Sequence, residues 1–533
     1  MKTTFSSLCF LFCVLLASES INADLIKGKA CYDSRDYQCA LREFKSLENR
    51  ENAFAQYTVG VMYERGQGVV QNIAEAIKWF HLSADQSNPH AQHFIGLMFK
   101  VGQGFRKSHS EAVKWFRMAA EQGDASAQYD LGLMYKNGQG VRQSYKEAMR
   151  WFVLASKHEH VVSQYMIGQM YEKGEGHTQN LARAVEWYRL AAKKGHVVAQ
   201  SLLGLMYADG EGVKQDFVKA ARWLRLAAGQ GYVFAQSTLG VMYEMGEGVN
   251  QDYAQALKWY KLAAAQNNAG AQYSVGKIYQ SGLGVKKNYQ GASKWFIKSA
   301  TQGHIDAQFS LALMYESGKG VTRSIDEAIK WYRLAAEQGS PKAQYFIGLM
   351  YKVGQGGRQD YLAALKWFRL SAEQGDIEAQ RALADMYIKG QGVDRDSLEV
   401  IRWYKLAAKQ NDMIAQRALG QIFNNGRVVK RSLDESVKWF VLAAEQGDVV
   451  AQNTLGVMYL NGDGVRKDVG EAKKWLRLAA KQGYAKAQHL LGSIYSENLR
   501  KNKIIAKQWY EKACQNGLTV SCENYKDVNV ASF

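Results

Sequence analysis

Proline is almost absent from this chain, with two in 533 residues. No proline-rich linker can therefore separate compact units, although length alone, at roughly 150 residues per domain, would suggest three or four. Long apolar runs are missing too. Beyond residue 23 nothing uninterrupted approaches the roughly 18 residues of a membrane-spanning helix, which excludes a polytopic membrane protein. What is present is an apolar fraction of 47%, with 49 glycines, 30 tyrosines and 13 tryptophans. That composition belongs to a folded chain rather than a disordered one. Basic residues outnumber acidic ones by 68 to 50, a net charge of +18.

Residues 1–23 read as a secretory signal. Met1-Lys2 is a short positive start, Phe5 to Leu16 is apolar, and Ile21-Asn22-Ala23 ends the segment with Ala23 as the last residue removed. Export colours the reading of the cysteines that remain. Cys31 with Cys39 and Cys514 with Cys522 form two C-x7-C pairs, one near each end. In an oxidising compartment they read as two local disulfides, or else as four small buried apolar side chains. No histidine lies near either pair in sequence, so zinc is not favoured.

One period organises the rest. Ala55-Gln56 recurs every 36 residues to Ala487-Gln488, thirteen copies in all. The tryptophans keep the same beat from Trp79 to Trp475, and Trp509 arrives two residues early after a shortened loop. Each copy holds two helical patterns. In the first, Ala127, Leu131, Met134 and Tyr135 share one face, and Gly132 on the same side permits close helix approach. Gly138 and Gly140 end it. The second helix begins at a capping residue in every copy: Asn72, Ser108, Ser144, Asn180, Asp216, Asp252, Asn288, Ser324, Asp360, Asp396, Ser432, Asp468 and Asn502. Four copies add a glutamate three residues on, giving capping boxes at Ser108/Glu111, Ser144/Glu147, Ser324/Glu327 and Ser432/Glu435. Pro89 and Pro341 share one slot at the start of the first helix, where a missing N–H costs little.

These residues resemble the Sel1-like repeat, a relative of the tetratricopeptide repeat, from Ala55 to about Gly517. The resemblance implies an all-α fold, an α/α superhelical solenoid of thirteen 36-residue helix-turn-helix repeats with a long curved contour. Four segments follow: residues 1–23 as signal peptide, 24–54 as an N-terminal capping helix pair, 55–520 as the thirteen repeats, and 521–533 as a C-terminal cap or tail. In cysteine-rich members each repeat carries a bridging C-x7-C pair; here only the two ends do, which reads as stapling where fraying is worst.

In the first helix the third, seventh and tenth positions form a stripe away from the shared core. By resemblance to tetratricopeptide solenoids this stripe lines a concave groove. Its candidate partner-binding residues are Tyr57, His93, Tyr129, Tyr165, Tyr273, Phe309, Tyr345, Arg381 and Arg417. The alternative is that these rings pack between neighbouring repeats. The second helix carries a basic ladder: Lys or Arg precedes the tryptophan in eleven of the first twelve copies, and Arg117, Arg189, Arg225, Lys261, Arg333, Arg369, Lys405 and Arg477 lie two residues after it. Aligned on the convex side, they could meet an anionic envelope polymer. They could equally be solvated, or paired as Arg117/Glu121 and Arg333/Glu337. No nucleic-acid recognition module is present, and no nucleic acid is expected.

Catalytic signatures are missing. The glycine pairs never complete a phosphate-binding loop, and the histidines, with His160, His196 and His304 in one turn slot, read as surface substitutions rather than metal ligands. Neither a catalytic residue, a metal nor a cofactor is expected. Ser274 and Lys277 form one S-x-x-K, without the partner motifs of a penicillin-binding enzyme. The resemblance implies a non-enzymatic adaptor, exported to the periplasm or cell surface or released, that binds a protein in envelope assembly or host contact. The alternatives are a β-lactam-binding or hydrolysing enzyme of the cysteine-rich type and a eukaryotic secretory-pathway quality-control adaptor.

Overall fold

The computed structural model describes residues 24–46, 52–497 and 499–530. The expected signal segment, 1–23, lies outside them. The described residues form helices from 24–33 to Thr519–Val530, with no strand among them. Each repeat is an A helix followed by a B helix, as in Ala53–Arg65 and Ile73–Asp85. The chain divides into two compact units, Met1–Gln266 and Asn267–Phe533. Inside each unit an A helix packs on the B helix of its own repeat, and that B helix packs on the A helix that follows.

Capping fixes the element boundaries. The twelve B-helix caps from Asn72 to Asp468 each accept a backbone amide with the side chain, as Ser144 Oγ does from the Glu147 N–H at 3.3 Å. The glutamates of the four capping boxes turn outward to cations three residues on, Glu111 to Lys114 at 2.7 Å and Glu435 to Lys438 at 2.7 Å. The thirteenth cap departs from the sequence reading. The last B helix already runs from Leu499 to Gln515, so Asn502 lies inside it. The shortened loop ahead of it has no glycine pair to force a longer turn.

The glycines serve close approach as well as turning. Gly138 is left-handed at φ 68° and ends its A helix. A Cβ on Gly140 would come within 2.3 Å of the His109 carbonyl, at the first residue of the preceding B helix. One on Gly132 would come within 2.6 Å of the Phe152 ring, which confirms the close helix approach inside a repeat.

The recurring glutamine ties three helices together. Gln92, 2% exposed, donates to the Ala84 carbonyl at the end of the previous B helix. Its own carbonyl accepts from Gln122 Nε2, at the end of its own B helix, at 2.7 Å. A second tie uses the basic ladder: Arg117, Arg189, Arg225, Arg333, Arg369 and Arg477 each donate to the tyrosine eighteen residues ahead, on the next A helix. Arg117 therefore reaches Tyr135 at 2.6 Å, and Arg333 reaches Tyr351 at 2.8 Å.

At the ends, Cys31 is bonded to Cys39 and Cys514 to Cys522, with Cα atoms 5.8 and 4.8 Å apart. The first bridge joins helix 24–33 to Tyr37–Lys45, and the second joins Leu499–Gln515 to Thr519–Val530.

Candidate functional site

The third position of the A helix, where the candidate groove residues lie, is a seam between repeats. In the unit Met1–Gln266, Tyr57, Tyr129 and Tyr165 are half-buried over B-helix rings, Phe80, Phe152 and Tyr188, at centroid distances of 5.8 to 5.9 Å. Their other side meets the first turn of the next A helix: Tyr129 lies 5.0 Å from His160, and Tyr165 lies 4.6 Å from His196. In the unit Asn267–Phe533, Tyr273 lies over Phe296 and against His304 at 4.8 Å. Phe309 and Tyr345 sit on Tyr332 and Phe368.

His160, His196 and His304 are the N-caps of those next A helices, and Nδ1 of each accepts the amide three residues on. The sequence reading of these three as surface substitutions is thus corrected. Burial holds all three below the usual imidazole range, because the neutral ring both packs and caps.

In three copies with histidine or arginine at the third position, the seam is a contact with a carboxylate. His93 Nε2 lies 2.8 Å from Asp130 Oδ2, and Lys100 Nζ lies 2.8 Å from Asp130 Oδ1. Burial alone would raise the Asp130 carboxyl, but these two partners hold it below its ordinary value. Arg417 bonds Asp448 at 2.7 Å, and Arg381 Nε approaches Asp412 at 3.7 Å. Asp412 and Asp448 cap the next A helices. An aromatic third position thus goes with a histidine cap in three copies, and an arginine with an aspartate cap in two.

The tenth position shows a second pairing. Tyr260 donates to Glu244 at 2.7 Å and Tyr332 to Glu316 at 2.8 Å, while Tyr188 donates to Glu172. Three of the copies with phenylalanine in the B helix place lysine there instead, Lys100, Lys136 and Lys352, and Lys100 and Lys352 each lie 5.9 Å from the ring. Burial and the glutamate bond push the Tyr188 and Tyr332 hydroxyls far above their ordinary value, so they remain hydrogen-bond donors at any physiological pH.

The A-helix stripe also presents exposed apolar side chains, Phe234 at 61% and Val241 at 36%. These lie one helical turn either side of Ser237, where a small residue replaces the ring of other copies. Sequence reasoning passed over Phe234 because it precedes the Ala-Gln pair by one residue. On the opposite face the B helices expose one leucine or methionine each in many copies, such as Met118, Leu226, Leu334 and Leu442.

Ser274 and Lys277 lie one turn apart on helix Ala269–Ser281, with the Lys277 ammonium 5.8 Å from the Tyr273 ring centre. No group of three or more potential metal ligands occurs among the described residues. No helix among them is long and apolar enough to cross a membrane.

The Sel1 repeat family model matches thirteen segments, beginning at residues 53–88 and 89–124 and ending at 449–484 and 485–518, with the eleventh at 414–448. Among solved structures, a protective antigen present in uropathogenic Escherichia coli strains, displaying an SLR fold, is 30% identical with a TM-score of 0.71. That match covers 92% of this chain and 97% of the other. A Sel1 repeat protein from Oxalobacter formigenes is 31% identical over 58% of this chain and 89% of its own, with a TM-score of 0.51. Among curated proteins there is no significant match.

Proposed function

This chain belongs to the Sel1 repeat family, and from that premise we propose that it is an exported, non-catalytic scaffold whose A-helix face holds a protein partner. Sel1 repeat proteins are in general protein-interaction scaffolds. The observation that carries the reading is where the copies differ. The buried alanine and glutamine slots and the tryptophan slot repeat, whereas the third, seventh and tenth A-helix positions change from copy to copy. In several copies the third- and tenth-position side chains are already held by ring stacks and ion pairs, which lowers the entropy cost of binding. Phe234 and Val241 add apolar surface on the same face. Envelope assembly and host contact are the settings this reading favours, and the similar Escherichia coli protein is described as a protective antigen. The two bonded cysteine pairs support export, since such bonds persist in oxidising compartments.

A photo-cross-linking amino acid at Phe234, with Leu226 on the B-helix face as control, tests the reading in intact cells. Specific protein adducts from Phe234 and few from Leu226 are expected. Equal yields from the two faces, or none from Phe234, would overturn it. Export has its own check: the secreted form should begin at Asp24 and carry four thiols protected until reduction.

A further inference from the structure

The A-helix stripe continues into the residues ahead of the first repeat. Helix 24–33 and helix Tyr37–Lys45 reproduce a repeat's internal packing: a Cβ on Gly28 would come within 2.6 Å of the Phe44 ring, as one on Gly60 would come within 2.7 Å of Phe80. Counted from that glycine, Lys29 and Tyr32 occupy the seventh and tenth positions of the stripe. Between them and the first A helix lies a cavity of about 280 Å³.

Its floor is Phe44 and Val61, both buried, and its walls are Tyr32, Phe54 and Tyr57. Phe54 is 44% exposed, so an apolar wall is left facing water. The volume falls just under the roughly 300–1,000 Å³ of pockets that enclose drug-sized ligands, which suits one large side chain. Lys29 and Arg65 stand at the cavity with one carboxylate, Asp33. Arg65 lies near enough to Tyr32 and Tyr57 to offset part of the effect of burial on both hydroxyls. Its side chain is 57% exposed, and its nearest acid is the adjacent Glu64, at 3.6 Å. An apolar chamber beside two cations matches a ligand that joins a large apolar group to an anion. A protein's C-terminal residue carries both groups on one Cα, a side chain and a free carboxylate.

We propose that this cavity binds the C-terminal residue of a partner protein, a large apolar or aromatic side chain entering between Phe54 and Tyr57 while the terminal carboxylate meets Lys29 and Arg65. The proposal rests on the reading that the A-helix face binds protein, and it names the chemical end of that protein.

The test uses the full chain and a short glycine-serine peptide ending in 4-fluorophenylalanine, followed by fluorine NMR. Saturable broadening is expected with the free acid. Roughly tenfold or greater weakening is expected with the C-terminal amide, and a similar loss with Lys29→Glu/Arg65→Glu, because charge-assisted bonds at the carboxylate are removed. Both cations are exposed, and an unchanged thermal melt would show that the variant is folded. Phe54→Ser should weaken the acid and the amide alike. Equal binding of acid and amide, binding unaffected by the double variant, or no binding of either peptide would overturn the proposal. Adducts from Phe234 in cells, measured alongside, separate the outcomes: adducts without peptide binding sink this inference alone, and their absence sinks the scaffold reading.

Discussion

The buried glutamines behave differently in the two units. In Asn267–Phe533 each of the seven Ala-Gln glutamines accepts a side-chain amide from the end of its own B helix, from Gln302 on Gln272 to Asn516 on Gln488. In Met1–Gln266 the ladder has a two-repeat gap. The donor slots opposite Gln128 and Gln164 hold His158 and Lys194, and both glutamine carbonyl oxygens are buried without a partner. Lys194 turns away to the exposed Glu159 at 2.8 Å. Glu159 itself sits at φ 61°, where most copies have glycine. A repeat array sums local and nearest-neighbour terms. The difference therefore marks the third and fourth repeats as the part of the first unit that opens most easily.

That contrast can be broken from the intact side. Gln446→Leu would leave the Gln416 carbonyl oxygen buried and unpaired, at a cost of about 1–3 kcal/mol. Hydrogen exchange should accelerate in helices Met413–Asn425 and Leu433–Glu445. Unchanged protection there would mean that the ladder contributes little to stability.

It can also be erased from the defective side. His158→Gln and Lys194→Gln should each restore a bond and add about 1 kcal/mol, read as slower exchange across residues 125–196. Loss of the exposed Lys194–Glu159 pair should detract little. Replacements that leave exchange unaltered would argue that the two orphaned oxygens are not where the unit is weak.

A smaller effect sits in the second unit, which has a defect of its own. Gly357 stands where most copies have valine, and a cavity of about 90 Å³ lies beside it, lined by Ile329, Ile347 and Met350. A Cβ there meets nothing within 4 Å. Gly357→Val should therefore stabilise by about 0.5–1 kcal/mol, seen as a higher melting temperature. A lower one would show that the glycine is required.

The histidine caps give the mildest contrast, one of pH. Because burial lowers their folded pKa, their contribution is complete above the unfolded value of about 6.5. It is lost as the pH falls from there through the lower folded value. Replacing His160, His196 and His304 with asparagine keeps a cap that does not titrate. The variant should lose less thermal stability than the parent between about pH 7 and pH 5. Parallel curves would exclude the caps as a source of acid sensitivity.

Much of this was legible in the chain. Twelve of thirteen B-helix caps, both proline positions and the close approach at Gly132 follow from local rules, because a cap or a missing Cβ acts within a turn or across one helix pair. Asn502 misled because its loop lacks the glycine pair, and helix propensity then extended the last B helix backwards. The bonding of the third-position side chains was not readable. Whether Tyr165 is free or stacked depends on His196, 31 residues ahead. Arg117 had a glutamate four residues on and bonded Tyr135 instead, since the next repeat presents a hydroxyl at a distance that sequence spacing does not encode.

The sequence by itself determined the period, the helix pair, the cap chemistry and the slots that must stay small, all consequences of steric and hydrogen-bonding rules acting over a few residues. Only the tertiary structure decided which polar groups meet: glutamine to glutamine across 30 residues, arginine to tyrosine across 18, cations to the caps of the next repeat. Those bonds form between helices whose separation is set by packing, and so a single strand of letters carries both partners without saying that they touch.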